Sequence, residues 1–165
     1  MQVLNANLSL LGENEDYWVS QRISRGVRTK EGSNPTVVIE CTPLPLEARA
    51  PYYRDGLPVV VPSVKRTPPE SISPRAKTAN YINIRLAEME VQSQNPDAWA
   101  IMLDTRGNIA EGPGSNFFIV RDGVVITPKE QYVLGGISRS TAIELAHELN
   151  IETVEADIDL YDAYT

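Results

Sequence analysis

The chain has 165 residues, enough for one full domain, or one domain and part of another, with a core that needs no disulfide or metal staple. It is 42% hydrophobic and 22% charged, ordinary for a globular protein, and its net charge of −7 argues against nucleic acid as the main partner, because phosphate binding needs a basic surface. Cys41 is the single cysteine and His147 the single histidine, which excludes an internal disulfide and makes a zinc site of nitrogen and sulfur ligands improbable. The opening MQVLNANLSLLGENED lacks a basic region followed by a sustained apolar one, and no apolar run is long enough to span a bilayer, so no membrane partner and a cytoplasmic location are expected.

YWVSQRISR (17–25) and TVVIECT (36–42) are rich in strand formers and read as two strands joined by the polar loop RTKEGSNP. PLPLEARAPYYRDG (43–56) holds three prolines without a clear period and reads as a linker or crossing loop. VVVPSV (59–64) reads as a strand with Pro62 at an edge or bulge, and RTPPESISPRAK (66–77) as a proline-rich loop. Residues 80–94 carry Ile82, Ile84, Leu86, Met89 and Val91 among good helix formers and predict a helix.

AWAIMLD (98–104) follows as a buried strand, TRGN (105–108) as a turn, and IAEGPGSN (109–116) as a short strand with a glycine loop. FFIVRDGVVITP (117–128) predicts a hairpin turning at Asp122-Gly123. LGGIS (134–138) is a glycine turn opening a helix over 139–150, with Ser138 as N-cap and Ala142, Ile143, Leu145, Ala146 and Leu149 as its buried face. ETVEADI (152–158) reads as a last strand, and Asp157 and Asp159 as solvated acids. Both ends read as the middle of something, so the chain is expected to be a piece of a longer protein.

Three features carry chemistry. Lys77, in PRAKTANY, sits where a polar loop meets a helix; there a lysine is ordinarily just solvated, and one that attacks an aldehyde needs burial or a nearby cation to shed its proton. Glu111 leads from a strand into a glycine-rich turn, as a solvated turn acid or as a buried carboxylate that pairs with a heteroaromatic nitrogen and keeps it protonated. Gly135 and Gly136 precede a helix whose N-terminal amides could hold a phosphate, although most such starts are plain capped helices. His147 is a surface helix residue on this reading, and no GxSxG elbow accompanies it.

Taken together, AKTANYINIRLAEMEV (76–91), LDTRGNIAEGPGSNFFIVRDGVVITP (103–128) and LGGISRSTAIELAHELNIETVEADIDLYDAYT (134–165) resemble the class IV (fold-type IV) pyridoxal-phosphate aminotransferases, branched-chain and D-amino acid aminotransferases among them. The resemblance implies an α/β (α+β) fold, with 1–50 the C-terminal part of a small domain, 51–56 a linker and 57–165 an incomplete large cofactor-binding domain. It implies pyridoxal 5'-phosphate as cofactor, an amino acid and a 2-oxo acid as substrates, a homodimer, and a site between the two domains near the subunit boundary.

By the same resemblance, Lys77 condenses with the cofactor aldehyde and shuttles the proton at the substrate Cα, and Tyr81 hydrogen-bonds the phenolic oxygen. Glu111 binds the pyridine nitrogen, Leu134 packs on the ring, and Ile137 and Ser138 hold the phosphate. Arg25, Arg28 and Gly114 are candidate substrate-binding residues, with Arg22 a further possible carboxylate ligand. The chain departs from the family pattern in having Ser115-Asn116 where branched-chain members usually show Glu-Asn, and Gly135 where proline is frequent. The family's phosphate-binding arginine and threonine loop have no counterpart here. A lyase of the aminodeoxychorismate lyase type and a catalytically silent fragment are the alternatives.

Overall fold

The computed structural model describes residues 2–7 and 16–165, which divide into two units, 1–56 and 57–165. In the first unit, α1 (Gln2–Asn7) precedes a long antiparallel ribbon of β1 (Tyr17–Ile23) and β4 (Val37–Pro43), in register from Tyr17 opposite Pro43 to Ile23 opposite Val37. The polar stretch between them is more than a loop: β2 (Val27–Thr29) and β3 (Gly32–Asn34) form a small hairpin. Gly26 permits it, since at φ 73° a Cβ would lie 1.8 Å from the Asn34 carbonyl oxygen.

The segment expected to be a linker is a helix, α2 (Leu46–Asp55). Its first turns come from Leu46, Glu47, Ala48, Arg49 and Ala50, good helix formers, and Pro51 is accommodated inside it. A proline there costs one backbone hydrogen bond and usually marks a break, so three prolines in fourteen residues misdirect the reading.

The second unit is organised around residues 98–104. Its β5 (Val59–Val60) pairs in parallel with β6 (Trp99–Ala100), and α3 (Ile82–Gln94) lies in the connection between them. Successive side chains of an extended segment point to opposite sides. Ala98, Ala100 and Met102 accordingly join Ile84, Ala87 and Val91 of α3 in one core, while Ile101 and Leu103 join Ile109 and Ile158 in a second. The expected helix is present, but its buried stripe is Ile84, Ala87 and Val91; Ile82, Leu86 and Met89 are exposed. The expected strand over 59–64 is only two residues long, because Pro62 cannot donate to a ladder.

Downstream, β7 (Glu111–Gly112) and β8 (Ser115–Asn116) make a tight hairpin. A second hairpin, β9 (Ile119–Arg121) and β10 (Val124–Pro128), turns at Asp122 and Gly123, both at positive φ as expected. The strand β11 (Thr153–Ala156) adds to β10 in parallel, giving the order β11-β10-β9. A turn of 3-10 helix (Glu130–Tyr132) leads to α4 (Ile137–Glu148), and α5 (Leu160–Tyr164) ends the chain.

The helix α4 starts two residues earlier than expected, with Gly136 at the N-cap, so Ser138 lies inside the first turn and caps nothing. Its buried residues are Arg139 and Ala146. Leu145 and Leu149, expected inside, are 51% and 69% exposed, and Ala142 is exposed too. The face toward the sheet is set by Arg139, whose Nη2 donates to the Pro128 carbonyl at 3.0 Å and pairs with Glu155 at 3.1 Å, and this turns the leucines outward. Asp157 is not a lone solvated acid: it pairs with Arg106 and Lys129, each at 2.8 Å, and Asp159 forms a capping box with Asp162 on α5.

Met102 is wholly buried at the centre of the first core, so Met102→Ala is expected to lower the free energy of unfolding by about 2–5 kcal/mol. Leu149→Ala, at an exposed position, is expected to stay within about 0.5 kcal/mol. Urea denaturation of both variants checks this, and equal effects would contradict the placement of the core.

Candidate active site

Glu111 is placed by the strand beneath it. The Met102 N–H donates to the Glu111 carbonyl at 3.0 Å, and the Ala110 N–H donates to the Met102 carbonyl at 2.9 Å. Gly112 follows because a Cβ there would meet Ser115 Oγ at 2.4 Å and the Ala100 carbonyl at 3.1 Å. Gly114 lies at the open tip of the turn, where an added Cβ would meet nothing within 4 Å.

The Glu111 side chain is buried. Its Oε1 accepts from Arg66 Nε at 2.7 Å, and its Oε2 accepts from the Leu134 backbone N–H at 2.9 Å, with Asn116 Nδ2 at 3.5 Å. Burial pushes its pKa up, against the opposing pull of the Leu134 N–H, the Arg66 guanidinium and the positive charge of Lys77. An ionised carboxylate has about four acceptor positions, so this network leaves room for one further donor.

Arg66 was not singled out in the sequence, where it sits among Lys65, Thr67 and two prolines and looks solvated. It is buried, and its N–H donates to the Leu103 carbonyl at 2.8 Å, which seats it against the extended segment that follows β6. Asn116 was likewise read only as a departure in a motif. It stands directly opposite Glu111 in the β7–β8 register, and its Nδ2 donates to the Leu134 carbonyl at 3.0 Å. Neither residue has a periodic signal; the signal available was a buried acid requiring a cation and donors.

Leu134 is thus held at both its N–H and its carbonyl. Ile137 and Ser138, both exposed, follow in the first turn of α4, where no side chain caps the helix. The amides there retain the donor capacity and partial positive charge of a free helix start.

Lys77 lies in the irregular segment between Arg66 and α3, two residues before Ala79, which has φ 59°. It is exposed, so the burial expected of a reactive lysine is not met within this chain, although its charge reaches the Glu111 carboxylate. Tyr81, exposed at the N-cap of α3, lines a small pocket with Arg66, Ile72, Pro74, Ala76 and Thr78. Arg22, Arg25 and Arg28 belong to the first unit, where all three are exposed. Arg22 pairs with Glu40 at 2.7 Å; among the described residues neither Arg25 nor Arg28 forms an ion pair.

Residues 3–165 match the family model described as Amino-transferase class IV. The chain is 37% identical over 157 residues to a Methanocaldococcus jannaschii protein provisionally named a branched-chain-amino-acid aminotransferase, covering 91% of this chain and 52% of that protein. It superposes on the branched-chain amino acid aminotransferase of T.th. complexed with N-(5'-phosphopyridoxyl)-L-glutamate with TM-score 0.80 at 25% identity, over 99% of this chain and 52% of that one. The branched-chain aminotransferase of Thermoproteus uzoniensis with norvaline gives TM-score 0.77 at 30% identity, over 99% and 55%. The chain therefore spans about half the length of the relatives it matches.

Removing Arg66 leaves a buried carboxylate without its cation. Arg66→Met is expected to cost about 3–5 kcal/mol of stability and to move the Glu111 titration further up. Because burial already raises that carboxyl in the folded state, the folded chain keeps a proton where the unfolded chain has shed it. The contribution of Glu111 to stability therefore falls as pH rises from the ordinary glutamate range through the raised value. Carbon-13 titration of labelled glutamate reads the shift. An unmoved Glu111 in Arg66→Met would contradict the pairing.

Proposed function

The chain belongs to the class IV aminotransferases, and on that premise we propose that the protein moves an amino group between an amino acid, branched-chain ones included, and a 2-oxo acid, with pyridoxal 5'-phosphate as cofactor. The observation that carries the reading is the buried Glu111 carboxylate, held by Arg66 and the Leu134 N–H, with the charge of Lys77 acting on it. Further support comes from the similarity to a branched-chain enzyme in complex with a phosphopyridoxyl amino acid.

The residues present fit such a cofactor. Glu111 keeps acceptor capacity for a ring N–H, and the first turn of α4 has no side-chain cap competing for a phosphate. When bound, pyridoxal phosphate supplies an aldehyde for amines and a protonated ring that takes up the electron pair left at the substrate Cα. Lys77 Nζ would be the amine that meets the aldehyde and the base that takes up the substrate Cα proton. Glu111 holds the proton on the ring nitrogen, and Arg66 keeps Glu111 an acceptor rather than an acid.

Tyr81 donates to the phenolic oxygen, Leu134 packs on the ring, and the amides of Ile137 and Ser138 with the Ser138 hydroxyl bind the phosphate. Gly114, at the open tip of its turn, leaves room for substrate, and Arg25 and Arg28 are the proposed cations for the substrate carboxylate. A homodimer and a cytoplasmic place belong to the same proposal. Among the described residues no helix is long and apolar enough to cross a membrane.

The test is to supply an amino donor, a 2-oxo acid and pyridoxal phosphate and to measure both products. Transfer yields one new 2-oxo acid for each new amino acid, whereas elimination yields no new amino acid. Lys77→Ala is expected to lose at least about 10²–10⁴-fold in rate, the usual contribution of a positioned proton-transfer group. Wild-type turnover without paired products, or an unaffected Lys77→Ala, would overturn the proposal.

A further inference from the structure

The proposed reading requires two groups to be held a fixed distance apart: the acid that meets the ring nitrogen and the helix start that meets the phosphate. They come from different parts of the chain, β7 and α4, separated by the β9–β10 hairpin and the 3-10 turn. One side chain connects them. Asn116 Nδ2 lies 3.0 Å from the Leu134 carbonyl oxygen and 3.5 Å from Glu111 Oε2, and Leu134 in turn donates its N–H to that same Oε2 at 2.9 Å. The other end of the carboxamide is pressed against the N-cap of α4, since a Cβ on Gly136 would stand 2.4 Å from Asn116 Oδ1.

We propose that Asn116 is a positioning residue that sets the spacing between the Glu111 carboxylate and the phosphate-binding start of α4, and this rests on the functional reading above.

The chemistry of the position is narrow. The group must donate toward two acceptors, the Leu134 carbonyl and the Glu111 carboxylate, which an aspartate of the same shape cannot do when ionised. An aspartate would also place a second negative charge beside a buried one, driving one of the two to hold a proton. A serine or alanine is too short to reach Leu134, and a glutamine adds a methylene where Gly136 already leaves no room for a Cβ. The register of β7 on β8 makes the arrangement possible, because directly opposite residues project to the same side of the hairpin. Gly136 is the complementary half of the device: its missing side chain lets the carboxamide close on the helix start.

The test compares wild type, Asn116→Ala and the isosteric Asn116→Asp by two measurements. The first is amide hydrogen exchange without cofactor. Both variants are expected to exchange faster by about tenfold or more at the hydrogen-bonded Leu134 and Gly136 amides, the effect of losing one buried hydrogen bond, with the core amides of α3 unchanged. The second is the ratio of affinities for pyridoxal phosphate and pyridoxal, which isolates the phosphate. That preference is expected to fall about tenfold in both variants, while Lys77 still gives its absorbance band.

Folded variants with wild-type exchange at Leu134 and Gly136 and an unchanged preference would overturn the proposal and leave Asn116 as an ordinary turn residue. Faster exchange with an unchanged preference would also overturn it, because the turn would then loosen without consequence for the phosphate. A wild-type protein with no preference for pyridoxal phosphate would instead remove the functional reading itself, a result distinguishable because it does not involve Asn116.

Discussion

A carboxylate inside a protein must be paired or protonated, and in this chain that constraint falls on Glu111. Its two oxygens are held from opposite sides, by the Arg66 guanidinium and by the Leu134 amide. The partners are far apart in sequence, from the loop after β5 and the turn before α4, and they meet because the extended segment 101–104, which continues β6, seats both Arg66 and Glu111. The Leu103 carbonyl fixes the Arg66 backbone, while Met102 pairs with the Glu111 backbone. Adjacent residues of one buried extended segment, Met102 and Leu103, thus place a cation beside an anion, and the alternation of that segment divides its side chains between two cores.

From that pair the rest of the candidate site is ordered outward. The Leu134 grip brings the start of α4 to the acid, so Ile137 and Ser138 follow with their amides unclaimed by any side-chain cap. Lys77 lies on the irregular segment running from Arg66 to α3. It is exposed, and its charge acts on the Glu111 carboxylate.

What could be read from the residues alone followed the strength of local signals. The Asp122-Gly123 turn was legible because both of its positions need positive φ, and α3 because its stretch is rich in good helix formers, although of the apolar residues expected in it only Ile84 and Val91 are buried. The helix over Leu46–Asp55 was not, since prolines at 43, 45 and 51 outweigh five good helix formers in any local reading. The buried face of α4 was misjudged for a different reason. Leucines at 145 and 149 are the stronger local signal, but a buried Arg139 tied to Pro128 and Glu155 decides which side meets the sheet. In the candidate site, Arg66 and Asn116 carry no local signal, because their placement arises from strand register and tertiary pairing.

The central claim is that the amine at position 77 is the one that meets the cofactor aldehyde opposite Glu111. Incubating the protein with pyridoxal phosphate, reducing with borohydride and mapping the peptides by mass spectrometry tests it directly. The account predicts a stoichiometric phosphopyridoxyl adduct on Lys77, with Lys30, Lys65 and Lys129 essentially unlabelled. A label spread evenly over the four lysines, or concentrated on one of the other three, would contradict it.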